Sequence, residues 1–130
     1  MIHVSVAILE KEGSLLICQR HPSMPHPLRW EFPGGKVEKD ETPQDALVRE
    51  LKEELNIEVT RLKALLSYPY QYPHQAPCVL HFFRVLAYQG NVENKIFQTI
   101  QWVSPEMLTS LDLLEGDREF LTWLESISSY

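Results

Sequence analysis

Three glutamates, Glu50, Glu53 and Glu54, follow a Pro33-Gly34-Gly35 turn within the stretch from Trp30 to Ile57. On an α-helix each residue advances about 100 degrees, so these carboxylates share an arc of roughly 100 degrees on one face. Such a face suits a cation. Its ordinary reading is a solvated acidic surface, and two costs weigh against that. Like charges three and four residues apart oppose each other by about 0.2–0.5 kcal/mol per pair. Acids in the last helical turn face the negative end of the dipole, at roughly 0.3–1 kcal/mol each. Arg49 and Lys52 relieve part of this, whereas a divalent ion would offset the whole. Hard oxygen donors with few His or Cys nearby favour Mg²⁺, or Mn²⁺, over zinc. The paired glycines admit positive φ and close approach by a ligand, a weak signal alone.

The elements that must position these residues follow from local pattern. Thr42 and Pro43 read as N-cap and first residue of a helix over 43–55, with Asp45 placed to complete the cap and Asn56 to stop it in the left-handed conformation. Leu47, Val48, Leu51 and Leu55 form the opposite, apolar face, which packs on a sheet. Upstream, residues 2–9 and the run SLLICQR read as two strands of a hairpin around Lys11-Glu12-Gly13. The prolines of HPSMPHP exclude regular structure, leaving either a lid or pocket wall, or a stiff surface connection. Trp30-Glu31-Phe32 is a short strand that the Pro-Gly-Gly turn ends. Downstream come one or two strands over 57–68, a Tyr- and Pro-rich loop, and a central strand over 78–88 expected to be the longest. A strand over 97–103, a short helix opened by Ser104-Pro105-Glu106, and an amphipathic helix over 117–128 complete the chain.

Composition bounds what this arrangement can be. With 130 residues, 44% of them hydrophobic, the chain is expected to form one domain spanning 1–130. A net charge of -6 argues against binding duplex nucleic acid through its phosphates. Cys18 and Cys78 lie in apolar runs and read as small buried hydrophobes rather than a disulfide. The N-terminus is too short in apolar length to span a membrane and shows no leader pattern, so a cytoplasmic location is expected.

Written as a pattern, Gly35 to Ile57 is G, five residues, E, seven residues, then R-E-L-K-E-E-L-N-I. This resembles the Nudix box, G-x5-E-x7-R-E-U-x-E-E-x-G-U with U a bulky aliphatic. Asn56 is the one departure, standing where the box has glycine. The resemblance implies an α/β/α sandwich around a mixed sheet and Mg²⁺-dependent hydrolysis of a nucleoside diphosphate linked to another moiety. It further implies that Glu50, Glu53, Glu54 and the Gly34 carbonyl hold the metal. Glu50 and Glu53, with Arg49 fixed by Glu41 or a neighbouring acid, would carry the catalysis. Arg20 and Lys36 would meet phosphate oxygens, and Glu31, Phe32 and Asp117 would complete the substrate site.

Within the family, EFPGGKVE and DETPQDALVRELKEEL are most similar to the MutT group, which includes 8-oxo-dGTP and cytidine triphosphate pyrophosphohydrolases. There a polar residue at the start of the C-terminal helix reads the base edge, and Asp117 stands in that place; it could equally be the helix N-cap. The group commonly carries a further glutamate about six residues before the tryptophan of the late strand. Here Ile96 occupies that position relative to Trp102, and Glu93 lies three residues further back. The expected activity is therefore hydrolysis of a nucleoside triphosphate, oxidised forms included, to monophosphate and pyrophosphate, by a monomer or homodimer acting on a small nucleotide. The alternatives are a dinucleotide, sugar nucleotide or RNA cap end as substrate, or a non-catalytic nucleotide-sensing or partner-binding domain.

Overall fold

The computed structural model describes residues 1–130. Strand β1 (Ile2–Ile8) is followed by the two-residue β2 (Glu10–Lys11) and by β3 (Ser14–Gln19). The expected hairpin is reassigned: β3 pairs with β2, whereas β1 has both its edges occupied elsewhere. One edge takes β5 (Gly34–Lys36) antiparallel, and the other takes β7 (Cys78–Gln89) in parallel. Before β5 comes β4 (Trp30–Glu31), which pairs with β3. The strand at Trp30-Glu31 does end before Pro33, as expected, but the glycines that follow are not a turn. Gly34 and Gly35 continue into a strand against Ser5 and Val6, because Gly34, at φ 151°, lacks the Cβ that would collide with the Ser5 carbonyl.

Helix α1 (Pro43–Leu55) matches the expected span, with the Asp45 N–H donating to Thr42 Oγ1 at 3.1 Å and Asn56 closing it at φ 56°. Strand β6 (Glu58–Tyr70) is one continuous element of 13 residues, one longer than β7, so the expectation that 78–88 is the longest strand fails. β7 is nonetheless central, in the order β5-β1-β7-β6. β8 (Thr99–Val103) pairs with β3 and completes a second, antiparallel sheet. The short α2 (Pro105–Leu108) and α3 (Glu115–Glu125) end the chain.

Two buried clusters make the layers. Leu47, Leu51 and Leu55 of α1 meet Ala7, Leu16, Cys18, Phe83 and Val85 on one side of the strands. Leu108, Phe120 and Leu121 of α2 and α3 meet Val6, Ile8, Leu15, Ile17, Leu80 and Phe82 on the other. Alternate residues of β1 and β3 therefore face opposite clusters, as the two-residue period of a strand with both faces covered requires. The α/β/α sandwich holds, with its strands divided between a mixed sheet and an antiparallel one. Cys18 and Cys78 are free and buried. No helix is long and apolar enough to cross a membrane.

Candidate active site

The site starts from the seam between β1, β5 and α1. Ser5, fully buried, donates through Oγ to the Pro43 carbonyl at 2.7 Å and so pins the start of α1 to the sheet. At the other end of the helix, the Gly34 N–H donates to Glu54 Oε1 at 3.1 Å. Gly35 lies against Glu50, where a Cβ would overlap the carboxylate carbon. The two glycines are therefore the places where the strand backbone touches the glutamate face.

Arg49 organises the outer part of that face. Its Nε donates to Glu41 Oε2 at 2.9 Å, its Nη1 to Glu50 Oε1 at 2.8 Å, and its Nη2 to the Lys36 carbonyl at 3.0 Å. Glu38 and Glu53 each stand 3.6 Å from the same guanidinium. The hydrogen bonds from Arg49 and from the Glu38 N–H lower the Glu41 carboxyl to about 2. Those accepted by Glu41 and Glu50 raise Arg49 further above its ordinary value.

The inner part is different. Glu54 is buried, and burial first, then the charges of Glu50 and Glu31, push its carboxyl up to about 9. Burial also raises Glu50, against the opposing Arg49 bond. Two carboxyls carrying this cost are the kind of donor a hard divalent cation would relieve. Glu53, with its side chain 59% exposed, supplies a third oxygen donor beside them. No three acidic, histidine or cysteine side chains converge as a ready-made metal cluster, and Arg49 stands on Glu50 and Glu53. The donor set fits a hard ion in kind, and Arg49 holds part of it in charge balance.

A cavity of about 500 Å³ opens beside this face, within the range that encloses small ligands. Its wall gathers Arg20, Glu31, Phe32, Gly34, Lys36, Glu54 and Asp117 among the predicted residues. Arg49, Glu50 and Glu53 lie outside that wall, in the cluster behind Gly35. Arg20 is engaged: its Nη1 donates to Glu31 Oε2 at 2.7 Å and its Nε to the Pro25 carbonyl at 2.6 Å. Burial raises Glu31 despite that pairing. Lys36 is exposed at the end of β5.

Asp117 is buried and accepts from the Phe32 N–H at 3.2 Å. Burial, then the charge of Glu31, pushes its carboxyl up to about 8. Its expected alternative role as N-cap is overturned. Helix α3 begins two residues earlier, with Leu114 at the cap position and no side-chain cap bond. The Gly116 N–H, which a cap would have served, donates instead to Tyr72 Oη at 2.9 Å. Backbone bonds from Trp30 to Asp112 and from Leu114 to Trp30 hold the approach to α3 against β4, which is why Asp117 reaches Phe32.

Glu93 does not replace the acid absent at position 96. It accepts from Asn56 Nδ2 at 3.3 Å and stands 3.5 Å from Lys95 Nζ, at the C-terminal end of α1, while Ile96 lines the cavity. Sequence reasoning did not single out Tyr68, Tyr72, Met24 or His26. The last three line the cavity, and Tyr68 lies behind it against α3. The HPSMPHP loop thus does serve as wall. The Tyr- and Pro-rich segment after β6 was visible as a loop, and only the register of β6 on β7 brings it over α3.

Comparison with known proteins agrees with this geometry. The NUDIX domain family model matches residues 1–124. An Escherichia coli protein named CTP pyrophosphohydrolase is 38% identical over 117 residues, covering 90% of this chain and 86% of the relative. An 8-oxo-dGTP diphosphatase of Proteus vulgaris is 35% identical over 95 residues, covering 72% of this chain and 84% of the relative. Among solved structures, the solution structure of the E. coli ORF135 protein superposes with a TM-score of 0.85 at 36% identity, covering 97% of this chain and 89% of that one. A family match over almost the whole chain, on a fold that presents the glutamates against Gly34 and Gly35, means that the chain belongs to the Nudix hydrolase family.

Proposed function

We propose that this chain hydrolyses nucleoside triphosphates to monophosphate and pyrophosphate with Mg²⁺, on substrates whose base Asp117 reads. The observation that carries the reading is one cavity wall that joins Asp117 and Phe32 to Gly34, Lys36 and Glu54. A base at Asp117 and Phe32 would leave its phosphates beside the other three. Glu50, Glu53, Glu54 and the Gly34 carbonyl would hold the ion, with Mn²⁺ as a substitute. Bound there, it would neutralise charge on the bridging oxygens and lower the pKa of water.

The chain's own residues do the rest. Lys36 and Arg20 stabilise charge on the outer phosphates, Arg20 by exchanging its Glu31 bond for the ligand. Arg49, held by Glu41, keeps Glu50 in place, and Glu50 or Glu53 receives the proton as water adds to phosphorus and the phosphoanhydride bond opens. Protonated Asp117 offers one donor and one acceptor. That pair complements a base edge with an acceptor beside a donor, as in cytosine with its N3 and its N4 amine. The relative named CTP pyrophosphohydrolase supports this choice; those named 8-oxo-dGTP diphosphatase make oxidised guanine nucleotides the second substrate to assay. Assay of CTP, dCTP and 8-oxo-dGTP for pyrophosphate release tests the proposal, and release of orthophosphate alone would overturn it.

A further inference from the structure

Helix α3 is bonded to β6 through its first turn. The Phe120 N–H donates to Tyr68 Oη at 3.2 Å, and that hydroxyl donates to the Gly116 carbonyl. Tyr72 holds the same residue from its other side, accepting the Gly116 N–H at 2.9 Å. Gly116 is the residue that admits this. A Cβ there would overlap Tyr72 Oη and stand 3.1 Å from Leu80 Cδ1. Both peptide groups of Gly116 are therefore held by tyrosine hydroxyls, one residue before Asp117.

We propose that Tyr68 and Tyr72 are positioning residues for base recognition: by holding the Gly116 peptide groups they set where the Asp117 carboxyl meets the base. The inference rests on the reading of Asp117 given above and deepens it. Tyr68 is buried and stacked on Phe82, with ring centroids 5.4 Å apart, so its hydroxyl is fixed from below. Tyr72 is half-buried, lines the cavity, and is braced edge-on by Tyr70 at 4.7 Å. Without either hydroxyl one of the two Gly116 peptide groups loses its anchor, and Asp117, the next residue, can shift with it. A misplacement of about 1 Å at a recognition group is enough to cost selectivity.

The test compares Tyr68→Phe, Tyr72→Phe and Asp117→Ala with the unaltered protein, measuring kcat and KM separately for CTP, UTP, ATP and GTP. Each tyrosine variant is expected to narrow the kcat/KM spread between best and worst base by about 10-fold, through KM, with kcat on the best base changed less than about 3-fold. A purely structural role would lower all four substrates in proportion. If Asp117→Ala narrows the spread and either folded tyrosine variant keeps it, the inference is overturned while the base-reading role stands. If Asp117→Ala itself keeps the spread, the base-reading role falls and the inference with it. Should Tyr68→Phe not fold, Tyr72→Phe, at the cavity wall, decides alone.

Discussion

Glu50 occupies the space over Gly35 that the Cβ of any other residue would need. The contact ties β5 to the middle of α1, and Arg49 fixes the carboxylate from its far side at 2.8 Å. Gly35→Ala is therefore expected to push Glu50 off Arg49 and to lower kcat by about 100-fold or more. Gly13→Ala is the contrast. At φ +83° and with nothing within 4 Å of its Cβ, it should cost about 1–2 kcal/mol of stability and leave kcat unchanged. Steady-state kinetics with parallel urea unfolding separate the two. Full activity in Gly35→Ala would show that Glu50 need not stand where it does.

Glu54 sets a pH dependence of stability. Its folded carboxyl titrates at about 9 against an ordinary 4.5, so between these values the folded state holds a proton that the unfolded state lacks. Stability from this group is fully present below about 4.5 and is lost as pH rises toward 9, by at most about 1.4 kcal/mol per pH unit. Glu54→Gln is expected to flatten the profile relative to the unaltered protein when both are unfolded in urea with EDTA at pH 5 and pH 8.5. Mg²⁺ should restore the unaltered protein most at the higher pH. Identical slopes for the two proteins would remove the buried, costly carboxylate from the account.

Asn56 stands where the box has glycine and takes the left-handed conformation at φ 56°, while its side chain donates to Glu93. Asn56→Gly relieves the backbone strain and gives up that bond. The net change in urea unfolding free energy is expected to stay below about 1 kcal/mol, with kcat unaltered. A loss of activity would give Asn56 a role beyond ending the helix.

Reading the sequence recovered the parts of this protein that are local. Thr42, Pro43 and Asn56 mark the ends of α1, and the leucine spacing gives its buried face, because caps and periodicity act within one turn. The strand pairings were less legible. Residues 2–9 looked like half of a hairpin, yet β1 pairs in parallel with β7, more than seventy residues away, a partner that no local pattern names. The glutamate face was visible from its spacing, while its division into a buried Glu54 and an exposed Glu53 depends on Gly34 reaching across from β5. Asp117 was singled out through the family's pattern. Its partner Phe32 and its tyrosine supports are set by how β4 and β6 lie against α3, and so were not readable from the chain.

Asp117 predicts a second pH effect, on substrate choice rather than stability. With its carboxyl at about 8, the proton it would donate to a base is lost as pH rises past that value. KM for CTP is expected to rise about 10-fold between pH 7 and pH 9. Asp117→Asn keeps a donor and an acceptor at every pH, so its KM should be nearly flat over the same range. Parallel profiles of the two would mean that Asp117 does not donate to the base.

The most direct measurement is the product balance of the reaction itself. CTP, dCTP and 8-oxo-dGTP are incubated with the protein and Mg²⁺, and monophosphate, diphosphate, pyrophosphate and orthophosphate are quantified. Equal amounts of monophosphate and pyrophosphate are expected from at least one of them, abolished by EDTA and reduced about 100-fold or more in Glu53→Gln, which still binds nucleotide. Diphosphate with orthophosphate, or turnover unchanged by Glu53→Gln, would contradict the proposed function.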